Sequence, residues 1–322
     1  MSRFAKYSWF VAGYTILVIL WGAVVRITGS GAGCGNHWPD CNGQVLHRPE
    51  SIETMIELSH RLTSALAGFF VLIMLIWAFR AVFKHNQKFI RQMTVMTFIF
   101  ILIEGVLGAA LVRFELVADN SSVARAVVIG LHLVNTLILL GFNTLAAWGA
   151  TKKEQIRFTG ISRHGWLMII AIGGFLLMSA IGAVTALGNT LFPSESFIEG
   201  VRQDFDPTSH FLIQLRIWHP VSAILVSGLL FYIGYQILGD DNLRENKTIT
   251  RYVNVLFVVI MIQVVGGFLN VIFLAPDFMQ LVHLLLADAM WMVIIVLTAD
   301  LLVQPQEVTQ TSTVEEPRRV LA

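Results

Sequence analysis

The chain has 322 residues, of which 56% are hydrophobic and only 13% charged, with a mean hydropathy of +0.71. A soluble domain is about a quarter charged, so this composition excludes one and points to an integral membrane protein. The formal net charge of +1 says nothing about nucleic acid, because the basic residues are placed by membrane topology, and no nucleic-acid partner is expected.

In chain order, apolar blocks of about the 20 residues that a helix needs to cross hydrocarbon fall near 9–27, 56–83, 95–112, 123–148, 166–187, 211–238, 252–274 and 278–303. The expected fold is therefore all-α, with eight transmembrane helices. If the N-terminus is cytoplasmic, fifteen of the 22 Lys and Arg fall on that side: Arg3, Lys6, Arg80, Lys84, Lys88, Arg91, Lys152, Lys153, Arg157, Arg163, Arg244, Lys247, Arg251, Arg318 and Arg319. Only Arg26, Arg48, Arg61, Arg113, Arg125, Arg202 and Arg216 fall opposite. Both termini are thus expected to be cytoplasmic, in a bacterial cell membrane. No small-residue cleavage site follows the first block, which reads as a retained helix. The polar segment 304–322 reads as a disordered cytoplasmic tail.

The first external loop, "TGSGAGCGNHWPDCNGQVLHRPES", holds both cysteines, Cys34 and Cys41. In an oxidising compartment a small disulfide ring is the favoured reading; two free thiols are the alternative, and a zinc site with His37 is short of ligands. The run "GSGAGCG" lacks the Lys-Ser/Thr of a phosphate loop and follows a membrane helix, not a strand. Trp38 and Pro39 read either as a cover over a site or as an interfacial anchor.

An internal repeat organises the rest. "GAVV" at 22–25 recurs as "GAVT" at 182–185, and "EGVLGAALV" at 104–112 recurs as "QVVGGFLNV" at 263–271. Each half, 1–153 and 154–303, then holds four helices, and an even number gives both the same orientation about an axis along the membrane normal. Of nine histidines, His37, His47, His85, His164 and His210 sit in loops or at helix margins. His60, His132, His219 and His283 lie one per even-numbered helix, all toward the external surface. The repeat maps His60 onto His219 and His132 onto His283. A pair of imidazoles at similar depth in a four-helix bundle is an arrangement that clamps a haem iron from both faces. Two haem sites are expected, one per half.

The motif "GAVVRITGSGAGCGNHWPDCNG", followed by "ELSHR" at 57–61, in a duplicated four-helix unit, closely resembles the haem A synthase family over nearly the whole chain. The resemblance implies oxidation of the C8 methyl of haem O to a formyl group, through two successive oxidations and loss of water from a geminal diol. The product is haem A for terminal oxidases. It implies that His60 and His132 hold haem O or haem A, that His219 and His283 hold a haem b, that Glu57 is the essential acidic residue, and that Cys34 and Cys41 are the functional loop pair. Haem O synthase and cytochrome oxidase assembly factors are expected partners beside membrane lipid, and a homo-oligomer is left open.

The chain departs from the family where "GNTLFPSESFIEGVRQDFDPTSH" lacks a second cysteine pair and where His219 is followed by proline instead of arginine. Chemistry is therefore expected in the first half, with electron transfer or structure in the second. Glu57, three residues before His60, shares its helix face and is suited to general-base work. Arg61 and Arg216 are expected either to reach haem propionates or to snorkel to the interface. Glu104, Asn135 and Asp288, inside helices, read mainly as interhelical hydrogen-bonding groups, with haem tuning or proton relay as alternatives. Rival readings are a bis-histidine dihaem b-type cytochrome and a haem transporter.

Overall fold

The structure is a computed structural model that describes residues 1–44, 48–81, 83, 86–156 and 158–303. His47, Lys84, His85, Arg157, and the segment 304–322 with Arg318 and Arg319 lie outside the described residues. Within them all regular secondary structure is helical, apart from one isolated bridge between Cys41 and Gln44.

Eight spans are long and apolar enough to cross a membrane. Seven are single helices: α1 (Arg3–Ile27), α2 (Ile52–Arg80), α3 (Gln87–Arg113), α4 (Val123–Lys152), α5 (Arg163–Leu191), α10 (Lys247–Ile272) and α11 (Asp277–Leu302). The remaining span, Phe211–Gly239, consists of α7 (Phe211–Gln214) and α8 (Trp218–Gly239). Two short helices complete the set, α6 (Phe197–Phe205) and α9 (Asp241–Arg244). The helices outrun the apolar blocks because polar residues cap them. Ser2, Ser51, Ser122 and Ser162 accept from the backbone N–H of Ala5, Thr54, Arg125 and Gly165 at 3.1–3.2 Å, satisfying donors that a helix start leaves bare. Arg80 and Lys152 close α2 and α4 in the last turn, where the helix dipole favours a cation.

The sixth span is broken where the sequence reading had one helix. Pro220 sits in the first turn of α8, and its ring disfavours a continuous α-helix over the Arg216 carbonyl. The chain tightens there: Arg216 N–H bonds Ile213 O, and His219 N–H bonds Arg216 O at 3.2 Å. Helix α6 was likewise not foreseen, although Ser196 and Glu199 carry a capping-box spacing and Ser196 caps the Glu199 N–H at 3.2 Å.

Packing follows a ring in each half. Helix α1 packs on α2 and α4, and α3 joins α2 to α4; α5 packs on α8 and α11, and α10 joins α8 to α11. Hence α2 faces α4, and α8 faces α11, diagonally across a bundle. The halves meet through α4 against α5 and α11, and α1 against α11. That seam is the main core, where Phe175 and Trp291 stack at 5.3 Å and Trp291 Nε1 donates to Leu137 O at 2.7 Å. Exposed apolar side chains such as Phe69, Leu102, Ile224 and Phe268 line the outer faces, as a bundle dissolved in lipid requires.

Candidate functional site

The loop after α1 is fastened to the head of α2. Gly29 takes the left-handed φ of 66° that a side chain disfavours, and the chain then turns through Ser30–Ala32. Gly33 presses so tightly on α2 that a β-carbon there would lie 2.5 Å from the Glu53 carbonyl carbon. Thr54 Oγ1 donates to Gly33 O at 2.7 Å. Cys34 and Cys41 are buried and joined as a disulfide, which leaves no thiolate for zinc.

Glu57, buried, holds this ring from below. Its Oε2 accepts the Cys34 N–H at 2.8 Å, while Oε1 accepts Arg61 Nε at 3.1 Å and pairs with Arg61 Nη2. Arg61 Nη1 donates to the carbonyls of His37 (2.7 Å) and Asp40 (2.6 Å). Residues four apart on a helix stack on one face, so Arg61 turns to Glu57 and the loop, where the sequence reading offered a propionate or snorkelling. Both carboxylate oxygens of Glu57 are engaged, so a proton arriving there competes with these bonds.

The four intrahelical histidines all lie near the loop-bearing end, roughly 9–14 Å into α2, α4 and α11 at 1.5 Å per residue, and in the first turn of α8. His60 and His219 each rest on the glycine of the repeated motif in the first helix of their half. A β-carbon on Gly22 would lie 3.0 Å from His60 Cε1, and one on Gly182 would lie 2.8 Å from His219 Cε1. His283 rests similarly on Gly267, at 3.1 Å. His132 leans instead on Glu104, its Nδ1 3.2 Å from Oε1.

In the second half the rings of His219 and His283 meet edge-on, with centroids 6.4 Å apart and planes at 83°. Two imidazoles sharing one metal at about 2 Å per bond have centroids about 6.3 Å apart once the ring radius is added. His219 Nδ1 lies 3.4 Å from Met178 O, which leaves Nε2 free. Gln263 Nε2 donates at 3.2 Å to His283 Nε2, whose lone pair becomes available to a metal when the amide moves aside, while His283 Nδ1 is buried and unpartnered. In the first half, His60 Nδ1 and His132 Nδ1 are likewise buried without a hydrogen-bond partner, the latter 3.2 Å from Glu104 Oε1. The residues present therefore fit bis-histidine haem.

Arg216 is buried between elements. Its Nε donates to Asp204 Oδ1 of α6 at 2.8 Å, and Nη1 lies 3.3 Å from both Asn189 Oδ1 and Phe192 O, with Nη2 unpartnered. Burial pushes the Asp204 carboxyl above its ordinary pKa, against the pull of Arg216. Two arginines that sequence reasoning used only for topology are also structural anchors. Arg125 Nη1 binds Ala118 O and Asn120 O, and Arg26 spans the halves to Ala186 O, Thr190 and Gln280. Their placement at helix ends beside polar loops was the available signal.

The profile of the cytochrome oxidase assembly protein family, COX15-CtaA, matches residues 5–295. The chain belongs to this family. Among relatives, a protein of Thermus thermophilus named protoheme IX farnesyltransferase is 40% identical over 302 residues, covering 94% of this chain but 49% of its own length. A heme A synthase of Geobacillus kaustophilus is 42% identical over 182 residues, 52% of this chain and 55% of that protein. A heme A synthase of Bacillus mycoides is 27% identical over 306 residues, 91% of this chain and 92% of the relative. The chain spans about half the length of the Thermus relatives.

Proposed function

We propose that the chain is a haem A synthase of a bacterial cell membrane, with both termini cytoplasmic, oxidising the C8 methyl of haem O to a formyl group. The observation that carries the reading is the pair His219 and His283 at 6.4 Å, repeated in sequence by His60 and His132. In the first half Glu57, one turn before His60, pins the external loop through the Cys34 N–H. The relative matched along nearly its whole length bears the name heme A synthase, which supports assigning the farnesyltransferase name of the Thermus proteins to their unmatched half. A farnesylated haem is the substrate this chain needs, so a haem O synthase is the proposed partner, beside other oxidase assembly factors.

The first half, 1–153, takes haem O between His60 and His132. The second, 154–303, holds a haem b between His219 and His283, and the halves are related by an axis along the membrane normal. The haem that His219 and His283 would hold would supply one-electron transfer. Written with water as the oxygen source, the methyl-to-formyl change releases four electrons and four protons, so it needs an external electron acceptor to take them up. Glu57, one turn before His60, accepts a proton from the reacting carbon or the adding water in competition with its bonds to Arg61 and the Cys34 amide. Arg61 and the disulfide keep the loop closed over the head of α2 and exclude water. Arg216 retains one unpartnered, buried nitrogen for an anionic substituent of the second haem.

The test is expression of the full chain with a haem O supply, followed by extraction of membrane pigments. Haem A is expected. Bound haem b with unconverted haem O would overturn the synthase reading in favour of a dihaem cytochrome, and a colourless protein would overturn both.

A further inference from the structure

The two halves repeat their histidines but not what stands behind them. Glu104 of α3 places Oε1 3.2 Å from His132 Nδ1 and in contact with Thr136 Oγ1. Its Oε2 accepts from Asn135 Nδ2 at 2.5 Å, and Asn135 Nδ2 also donates to Phe100 O at 2.9 Å. Asn135 and Thr136 are both buried, so this carboxylate is locked by neighbours that have no freedom to leave.

At the matching place in the second half, the repeat puts Gln263 for Glu104, Leu286 for Asn135 and Ala287 for Thr136. Gln263 still reaches its histidine, but with the amide: Nε2 lies 3.2 Å from His283 Nε2 and 3.0 Å from His283 O. Its Oε1 is buried with no partner. One half thus sets a carboxylate 3.2 Å from its fourth-helix histidine, where Nδ1 has no other partner and a small turn of the ring lets its N–H donate, and the other half offers a neutral amide.

A carboxylate that accepts the distal N–H of a ligating imidazole fixes its tautomer and ring orientation and raises its basicity. Away from water such a hydrogen bond is felt strongly. We propose that Glu104 is a positioning residue that makes the first-half site electronically unlike the second. It holds His132 with Nε2 free for iron and renders it the more electron-donating ligand, so that ferric iron is favoured on that side. This rests on the reading of His132 as an axial ligand. Asn135 and Thr136 serve by keeping the carboxylate in place.

The experiment is a redox titration of the purified full chain carrying haem in both halves, followed by optical and electron paramagnetic resonance spectra, for the parent, Glu104→Gln and Gln263→Glu. In Glu104→Gln the first-half midpoint rises, with about a tenfold fall in the ferric-to-ferrous ratio at fixed poise, some 59 mV for a one-electron couple. The second-half midpoint stays. In Gln263→Glu the second-half midpoint falls. Unchanged midpoints in Glu104→Gln at full haem content overturn the proposal. Should that variant not accumulate, an unshifted Gln263→Glu overturns it equally. His132→Ala separates the two readings: a first-half haem with unchanged axial spectra there removes the ligand assignment itself, and the proposal with it.

Discussion

The imidazole of His60 lies directly on Gly22, where a β-carbon would come within 3.0 Å of Cε1, and His219 repeats the contact on Gly182 at 2.8 Å. Each first helix thus carries a notch that seats the histidine of the next. Gly182→Ala forces His219 to shift, and the second-half haem affinity is expected to fall by about the 10–100-fold typical of disturbed ligand support; Gly22→Ala does the same more mildly at His60. Gly13, with no atom near its missing β-carbon, is the control. Its alanine variant should bind haem normally and gain up to about 1 kcal/mol of helix stability. Haem per polypeptide measures all three, and full haem in Gly182→Ala would show that the notch does not seat the ring.

Glu57 can be separated into a tether and a proton acceptor. Glu57→Gln keeps a carbonyl oxygen for the Cys34 N–H but removes the basic carboxylate that also pairs with Arg61. Haem binding is expected to persist while formyl product falls by about 10²–10⁴-fold, the usual worth of a positioned base. Glu57→Ala should lose product as fully and also free the loop. Near-parental haem A from the glutamine variant would assign Glu57 to the tether alone.

The Cys34–Cys41 bond closes a small ring with a sequence separation of 7. Cross-linking so short a loop is worth about 2–3 kcal/mol through the unfolded ensemble. The loop has other fastenings in Gly33, Thr54, Glu57 and Arg61, which do not need sulfur. The double variant Cys34→Ser, Cys41→Ser is therefore expected to keep its haem and its helices while amides of residues 33–44 exchange roughly 30–150-fold faster, the same energy expressed as an opening constant. Exchange equal to the parent's would mean that the fastenings alone hold the loop.

The sequence made the eight spans legible because lipid allows only one solution to an apolar block of that length. It made the histidine quartet legible because a repeat marks equivalent places. What it hid were choices made between neighbours. Pro220 could have been read as a break after Arg216, but the apolar run from 211 to 238 outweighed it. Arg61 was placed by sequence on the correct helix and Arg216 in a span that proves broken there, yet their partners, the His37 and Asp40 carbonyls and Asp204 of α6, come from the external connections, whose path the sequence does not specify. Glu104 was visible as a buried acid, while its contact with His132 depends on α3 and α4 lying side by side.

Arg26 was counted only for topology, and it ties the halves together. From the end of α1 it donates to Ala186 O at 3.1 Å and Thr190 Oγ1 at 2.6 Å on α5, and to Gln280 Oε1 at 2.9 Å on α11. Arg26→Met keeps much of the aliphatic length and removes every donor; Ala186 O keeps its bond from Thr190 Oγ1, so the loss falls mainly on Gln280 Oε1, at a cost of about 1–3 kcal/mol where water is excluded. Arg26→Lys reaches with one charged point in place of a fork and should recover only part of this. The expected result is a thermal midpoint in detergent several degrees lower for the methionine variant, with lysine intermediate. Haem spectra below the transition should be unchanged, since the residue joins the halves without touching a histidine ring. A methionine variant that melts with the parent would locate the strength of the seam in the Phe175 and Trp291 packing instead.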